Sequence, residues 1–416
     1  MKRLLPISSL LFGVALLLAG NGLFGTLLGV RSAAEGWSGR AIGLMMSAYF
    51  AGFLLGTFVN PRIITRVGHI RAFAIFAALA SSAALLQGLL VHPLAWLLLR
   101  LLTGICLVGL YMVVESWLNA QAEPSTRGQI FAGYMAVNFG GLAAGQTLLA
   151  LYPVQGFELF GVTAMLLSLS LVPVALTSVA QPAVTQAPHL SLRALYTLAP
   201  VGIAGAVGSG LALSAFWGMG PAAAQQLGFE GRGVAAFMSA AILGGALLQL
   251  PIGRWSDRGG DRRRVLFLLT LASAATALGL FLLPLEPSLL LGGMFLFGGL
   301  AFAIYPVSIA LTNDRLRPED LLRGAGSLLL LHGAGAVLGP FLAGLLMEWL
   351  GPTALMLHFA LMLGLLATYA AWRLWISPQG PEAHTPFQPM VRTTPAALEL
   401  IAPTPEDATP EAGPAT

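Results

Sequence analysis

Of the ionisable side chains inside apolar runs, three matter: Arg100 and Glu115 in PLAWLLLRLLTGICLVGLYMVVESWLNA, and His332 in LLLLHGAGAVLGP. An ionisable group in such a setting is costly and marks a pathway or coupling site by default. A carboxyl such as Glu115 can be neutral in a low-dielectric site and ionised in a wet one, which suits it to carry a proton. It can equally close a gate by pairing with Arg127 or a basic loop. His332 titrates near neutral pH and can serve the same proton, or act as a hydrogen-bonded structural residue. Arg100 can attract an anionic solute group, tune a nearby carboxyl, or bond between helices. Around them Asn21, Tyr49, Tyr111, Asn138, Gln146, Gln249 and Tyr305 are candidate cavity groups, each also able to bond helix to helix, whereas His358 reads as peripheral packing.

Spacing limits what these groups can do together. On one helix, Arg100 and Glu115 lie roughly 22 Å apart along the axis and about 60° apart around it. They cannot pair directly, but both can face one cavity. His332 follows Arg323 by nine residues, or roughly 13 Å of helix, which places it near mid-membrane.

The elements that hold these residues must be membrane spans. The chain of 416 residues is 57% hydrophobic and only 9% charged, with a mean hydropathy of +0.82. Water-facing proteins carry roughly 25% charged residues. Apolar runs of about 20 residues suffice to cross a bilayer, and they predict twelve spans, near 4–30, 41–60, 72–91, 94–119, 128–151, 157–177, 194–218, 233–255, 265–283, 288–313, 324–350 and 353–376. The first imitates a signal peptide but stays apolar too far, so it reads as a retained helix. Of the 21 lysines and arginines, all but Arg31, Arg40, Arg100 and Arg232 fall on the side of the N-terminus. The positive-inside rule then puts both termini in the cytoplasm. The expected organisation is a six-helix bundle over 1–177, a cytoplasmic linker over 178–192, a second bundle over 193–376, and a proline-rich tail over 377–416, too poor in apolar residues to fold.

The same composition excludes much. Lys2 is the only lysine, so no P-loop GxxxxGK exists, and neither GxSxG nor HExxH occurs. The single cysteine, Cys106, rules out a disulfide framework or cysteine metal site. The chain reads as no enzyme, with no cofactor, no metal and no nucleic-acid partner.

The sequence also repeats itself. Gly36–Arg40 (GWSGR) returns as Gly228–Arg232 (GFEGR), 192 residues on, and Met46-Ser47-Ala48 and Gly52 return at the same displacement as Met238-Ser239-Ala240 and Gly244. At 194 residues, Gly104, Tyr111 and Asn119 match Gly298, Tyr305 and Asn313, while Asn138, Gly141 and Gly145 match His332, Gly335 and Gly339. A constant offset through loops and helices predicts a duplicated six-helix half, the plan of transporters that rock about a midplane site. The counterparts of Arg100, Glu115 and His332 are Met294, Ile309 and Asn138. The halves share a scaffold and differ in charge.

The loop GRWSDRGGDRR carries Gly253, Asp257, Arg258, Gly260 and Arg262 in the pattern G-x-x-x-D-[RK]-x-G-x-[RK]. It resembles the loop signature of the major facilitator superfamily. The equivalent PRIITRVGHIR keeps Arg66, Gly68 and Arg71 but has Pro61 and Thr65 in place of the glycine and the acid. RLLTG at Arg100–Gly104 resembles that superfamily's fourth-helix pattern. VVES (113–116), RGQIFAGYM (127–135), Gly145-Gln146 and YPV (305–307) are similar to its YcaD-like bacterial subfamily. The resemblance implies an all-α membrane fold of twelve helices in two pseudo-symmetric bundles. The function expected is secondary, proton-coupled transport of a small organic solute by alternating access, in a monomer in a bacterial inner membrane, with the proton gradient as energy source. In it, Asp257 would lock the cytoplasmic helix ends of the second half in one access state. The alternatives are a facilitator or antiporter without a proton step, a drug efflux protein, and a transport-inactive sensor or scaffold. An antiporter's Gly-Pro in the fifth helix is missing, since Gln146 stands there, and Gly339-Pro340 occurs in the eleventh instead.

Overall fold

The computed structural model describes residues 4–122, 126–176, 190–258, 260–283, 286–317, 320–377 and 386–390. Lys2, Arg3, most of the expected linker and most of the tail lie outside them. The first half comprises α1 (Leu4–Ala34), α2 (Gly39–Val67), α3 (His69–Leu89), α4 (Pro93–Gln121), α5 (Arg127–Leu148), α6 (Glu158–Leu169) and α7 (Leu171–Ala175). The second comprises α8 (Leu192–Leu198), α9 (Pro200–Gln226), α10 (Gly231–Asp257), α11 (Arg262–Leu282), α12 (Pro287–Ala301), α13 (Ile304–Asn313), α14 (Leu321–Leu350) and α15 (Ala354–Ile376). Eleven spans have the length and hydropathy to cross a membrane, counting α6–α7 and α12–α13 as one each. α5, with Arg127, Gln129, Asn138 and Gln146, is too polar to qualify alone but packs along α1 as the twelfth.

In lipid, helices associate by close packing rather than by hydrophobic drive, so small residues decide where backbones touch. A methyl group on Gly52 would land on the Leu101 carbonyl, and one on Gly244 on the Phe295 carbonyl. Likewise Gly104 sits on Tyr49 and Gly298 on Ala241, Gly145 on Ala19 and Gly339 on Leu211. Each second contact is the first displaced by 192 or 194 residues. The α2–α4 crossing is thus repeated as α10–α12, and α1–α5 as α9–α14. The repeated glycines are the contact points of a duplicated fold.

Three spans are broken where one continuous helix was expected, each beside a proline. The seventh starts as α8, leaves helical geometry at Ala199 (φ −137°, ψ 61°), and resumes with Pro200 at the head of α9. A residue before proline is pushed out of the α region. α9 then runs to Gln226, past the expected end at 218. The sixth span breaks at Ser170 before Pro173, and the tenth at Phe302-Ala303 before Pro306.

The halves meet at one face. α2 crosses α14 with Gly39 against Gly344, and a Cβ on Gly43 would lie 2.6 Å from the Pro340 carbonyl. Phe341 N–H donates to Ser47 Oγ at 3.2 Å, and Arg40 N–H to Glu348 Oε2 at 2.9 Å. α1 meets α9 there through Gly29 and Pro221. Farther along α14, Leu331, His332 and Gly333 are partly exposed and Ala334 is exposed. These contacts close the halves on each other at the face carrying Gly36 and Gly228, beside a surface cavity of about 620 Å³ bordered by residues 149–155, Gln225, Glu230, Gly231 and Arg232. From the exposure of α14 we read the halves as diverging toward the face carrying Asp257.

One stretch of the tail departs from the expectation of disorder. Residues 386–390 lie against the second half, with Phe387 9% and Met390 3% exposed. Composition averaged over the tail hides this short apolar pair.

Candidate functional site

Between the halves is a small cavity lined by Asn21 and Thr26 of α1, Tyr49 and Phe50 of α2, Arg100 of α4 and Trp217 of α9. Its volume is about 20 Å³, room for one water. Arg100 is 4% exposed. Its guanidinium carbon stands 4.2 Å from the Tyr49 ring centroid and 5.7 Å from that of Phe24, and Nη2 is 3.8 Å from Met46 Sδ. Aromatic faces stabilise a desolvated cation electrostatically. The Tyr49 hydroxyl is buried with no hydrogen-bond partner. Gln146 is a buttress: its Oε1 accepts from Thr26 at 2.5 Å while its amide reaches the Leu142 and Gly22 carbonyls.

Asn21 links this cavity to a second polar cluster, donating to Tyr111 Oη at 3.1 Å. One turn beyond Tyr111 on α4 is Glu115, fully buried. Tyr134 of α5 donates to its Oε1 at 2.7 Å, and Asn138 Nδ2 donates to the Tyr134 carbonyl at 2.8 Å. Tyr134 was not singled out in the sequence. Its signal was there: Tyr134, Asn138, Gly141 and Gly145 fall on one helical face.

The second half answers with a different cluster. His332 Nδ1 is 3.1 Å from Ser209 Oγ, and its ring centroid is 4.4 Å from that of Tyr305. Ser209 Oγ also lies within hydrogen-bond distance of the Ala206 carbonyl, at 2.9 Å. His332 therefore sits at the α9–α13–α14 junction, at the repeat position of Asn138. His358, fully buried rather than peripheral, donates Nε2–H to the Leu211 carbonyl at 3.2 Å. Gln249 is apart from both clusters. Pro306 has no N–H to give the carbonyl four residues back, and Gln249 Nε2 supplies that Phe302 carbonyl at 2.9 Å.

At the diverging face, Arg262 bridges Asp257 at 2.6 Å and Asp314 at 2.7 Å, tying the end of α10 to that of α13. Gly260 takes φ +111°, a conformation glycine alone adopts easily. Arg263 Nη1 donates to the Ser377 carbonyl at 2.6 Å, fixing the end of α15. Asp261 caps α11. Burial alone would raise its pKa, but hydrogen bonds from Arg263 outweigh that and hold it below the usual carboxylate range. Arg258 follows the last turn of α10 as its C-cap. Asp314 was not anticipated, because its partner lies 52 residues away. Arg262→Gln should cost about 3–5 kcal/mol, since it removes the guanidinium that the buried Asp314 carboxylate faces and its bond to Asp257 as well. Asp257→Asn, at a side chain 37% exposed, should cost under half that. Thermal unfolding of the two purified variants checks the order.

The sequence profile described as the Major Facilitator Superfamily matches residues 202–406. The MFS-type transporter YcaD of Shigella flexneri serotype 5b is 27% identical over 348 residues, covering 82% of this chain and 89% of its own. Among solved structures, a mutant of the nucleoside transporter NupG superposes with TM-score 0.75 at 16% identity, covering 88% of this chain and 99% of its own. A bacterial homologue of the human lysosomal transporter Spinster, inward-facing and unoccupied, gives 0.68 at 14% identity, over 95% and 97% of the two chains.

Proposed function

We propose that this chain, which is similar to transporters of the major facilitator superfamily in sequence and in fold, is a proton-coupled secondary transporter of a small organic anion. The observation that carries this reading is the cavity holding Arg100, because both halves line it. A site at the seam of two rocking bodies is open to one side of the membrane at a time. Arg100 recognises the anionic group, the orphaned Tyr49 hydroxyl adds a donor, and Trp217 supplies an apolar wall from the other half.

Glu115 carries the proton. Of Arg100, Glu115 and His332 it alone is neutral when loaded and charged when empty, and Tyr134 holds its orientation. Asn21 and Tyr111 connect the two sites, so charge at one is felt at the other. Under the positive-inside orientation the closed face is external, both termini are in the bacterial cytoplasm, and this conformation opens inward.

The test is a thermal-shift screen of the purified protein against metabolites, followed by the hits on Arg100→Gln. Stabilising compounds should be organic anions, and Arg100→Gln should lose their shift. Neutral hits, or anions that stabilise Arg100→Gln equally, would reject the assignment.

A further inference from the structure

We propose that residues 386–390 of the tail (PFQPM) form a built-in wedge, docked along the inner end of α10, that holds the molecule in the conformation with the opposite face closed. The contacts are specific. Phe387 N–H donates to both Asp257 oxygens, at 3.1 and 3.2 Å. The Phe387 ring lies on Gly253, where any Cβ would collide with it. Gln249 Nε2 donates to the Met390 carbonyl at 2.8 Å, using the second hydrogen of the amide that serves Phe302.

From Asp257 to Gln249 is two turns of helix, about 12 Å, so the segment reaches from the membrane face to the break between α12 and α13. Its composition fits a docked segment that buries Phe387 and Met390. Pro386 and Pro389 have no N–H to leave unsatisfied, and prolines reduce the conformational freedom lost on docking. Glycine at 253 and glutamine at 249 make the receiving groove, and the acid of the loop signature caps the incoming chain.

The wedge acts on access because α10 belongs to the seam. Its outer end faces α5 of the first half, near Ala150. When the halves rock to close the diverging face, the inner end of α10 must approach the first half, and the docked segment occupies that end. Undocking therefore permits the alternate state, and docking selects the present one.

The experiment needs no transported solute and does not depend on the coupling scheme. In full-length protein carrying Cys106→Ser, Met390→Cys reports docking through its maleimide labelling rate, compared with the same protein in SDS. Labelling should be at least tenfold slower in the native protein, and Phe387→Ala should restore most of the difference. Gly253→Ala, which evicts the ring from the other side, should do the same. Spin labels on Ala34→Cys and Glu230→Cys then measure the separation of the halves at the closed face, and Phe387→Ala should enlarge the long-distance population. A native labelling rate equal to that in SDS would overturn docking. An unchanged distance distribution in Phe387→Ala would overturn the wedge, since Phe387 is a tail residue whose loss leaves the bundles intact.

Discussion

Gly344→Val will hold open the face that is closed in this structure. A Cβ at 344 falls on the Gly39 carbonyl, and one at Gly39 falls on the Gly344 carbonyl. Both obstacles are backbone, so no rotamer change relieves them. Overpacking of this kind costs about 1–3 kcal/mol, and each 1.4 kcal/mol shifts a two-state ratio about tenfold. The closed population should therefore fall by a factor of about 5 to 150 relative to the alternate state. In the Cys106→Ser background, Asn21→Cys in the cavity wall should be labelled by an impermeant maleimide from the closed side at a correspondingly higher rate. Gly364→Val is the control, because a Cβ there meets nothing within 4 Å. Equal labelling in Gly344→Val and the control would mean that the α2–α14 crossing does not set the closure.

The second large effect is expected at Glu115. Glutamine keeps the shape and an oxygen to accept from Tyr134, so the α4–α5 junction survives while the titratable proton is lost. Glu115→Gln should abolish accumulation driven by a pH gradient in proteoliposomes yet retain exchange of bound solute for free solute. His332→Asn, which installs the residue of the other half, should be mild, because His332 is anchored to Ser209 and Tyr305 within the second half. Gradient-driven accumulation surviving in Glu115→Gln would return that residue to the role of a gate.

Much of the architecture was legible because glycine spacing and charge are visible in one dimension. The offsets of 192 and 194 residues read from Gly52, Gly104 and Gly145 proved to be literal backbone contacts. Arg100 and Glu115 were conspicuous as charges in apolar runs. Tyr134, Ser209, Trp217 and Asp314 were not, because each is an ordinary residue made functional by a neighbour far along the chain. The helix breaks at Ala199 and Phe302 were signalled by Pro200 and Pro306. A span long enough to cross the membrane still hides whether its proline bends the helix or stops it. Phe387 was hidden by the polar composition around it.

The loop signature survives in one half only, and this makes the two halves unequal mechanical bodies. In the second half, Arg262 and Arg263 tie the ends of α10, α13 and α15 with charged bonds. At the equivalent place in the first half, α2 passes to α3 through Gly68 alone, with the backbone bond from Gly68 N–H to the Ile64 carbonyl at 2.8 Å. Thr65, where the acid would be, only donates to the Arg62 carbonyl. In the proposed rocking cycle the second half, tied by charge at this face, would turn as the stiffer body, and the one-glycine turn between α2 and α3 is where bending is expected.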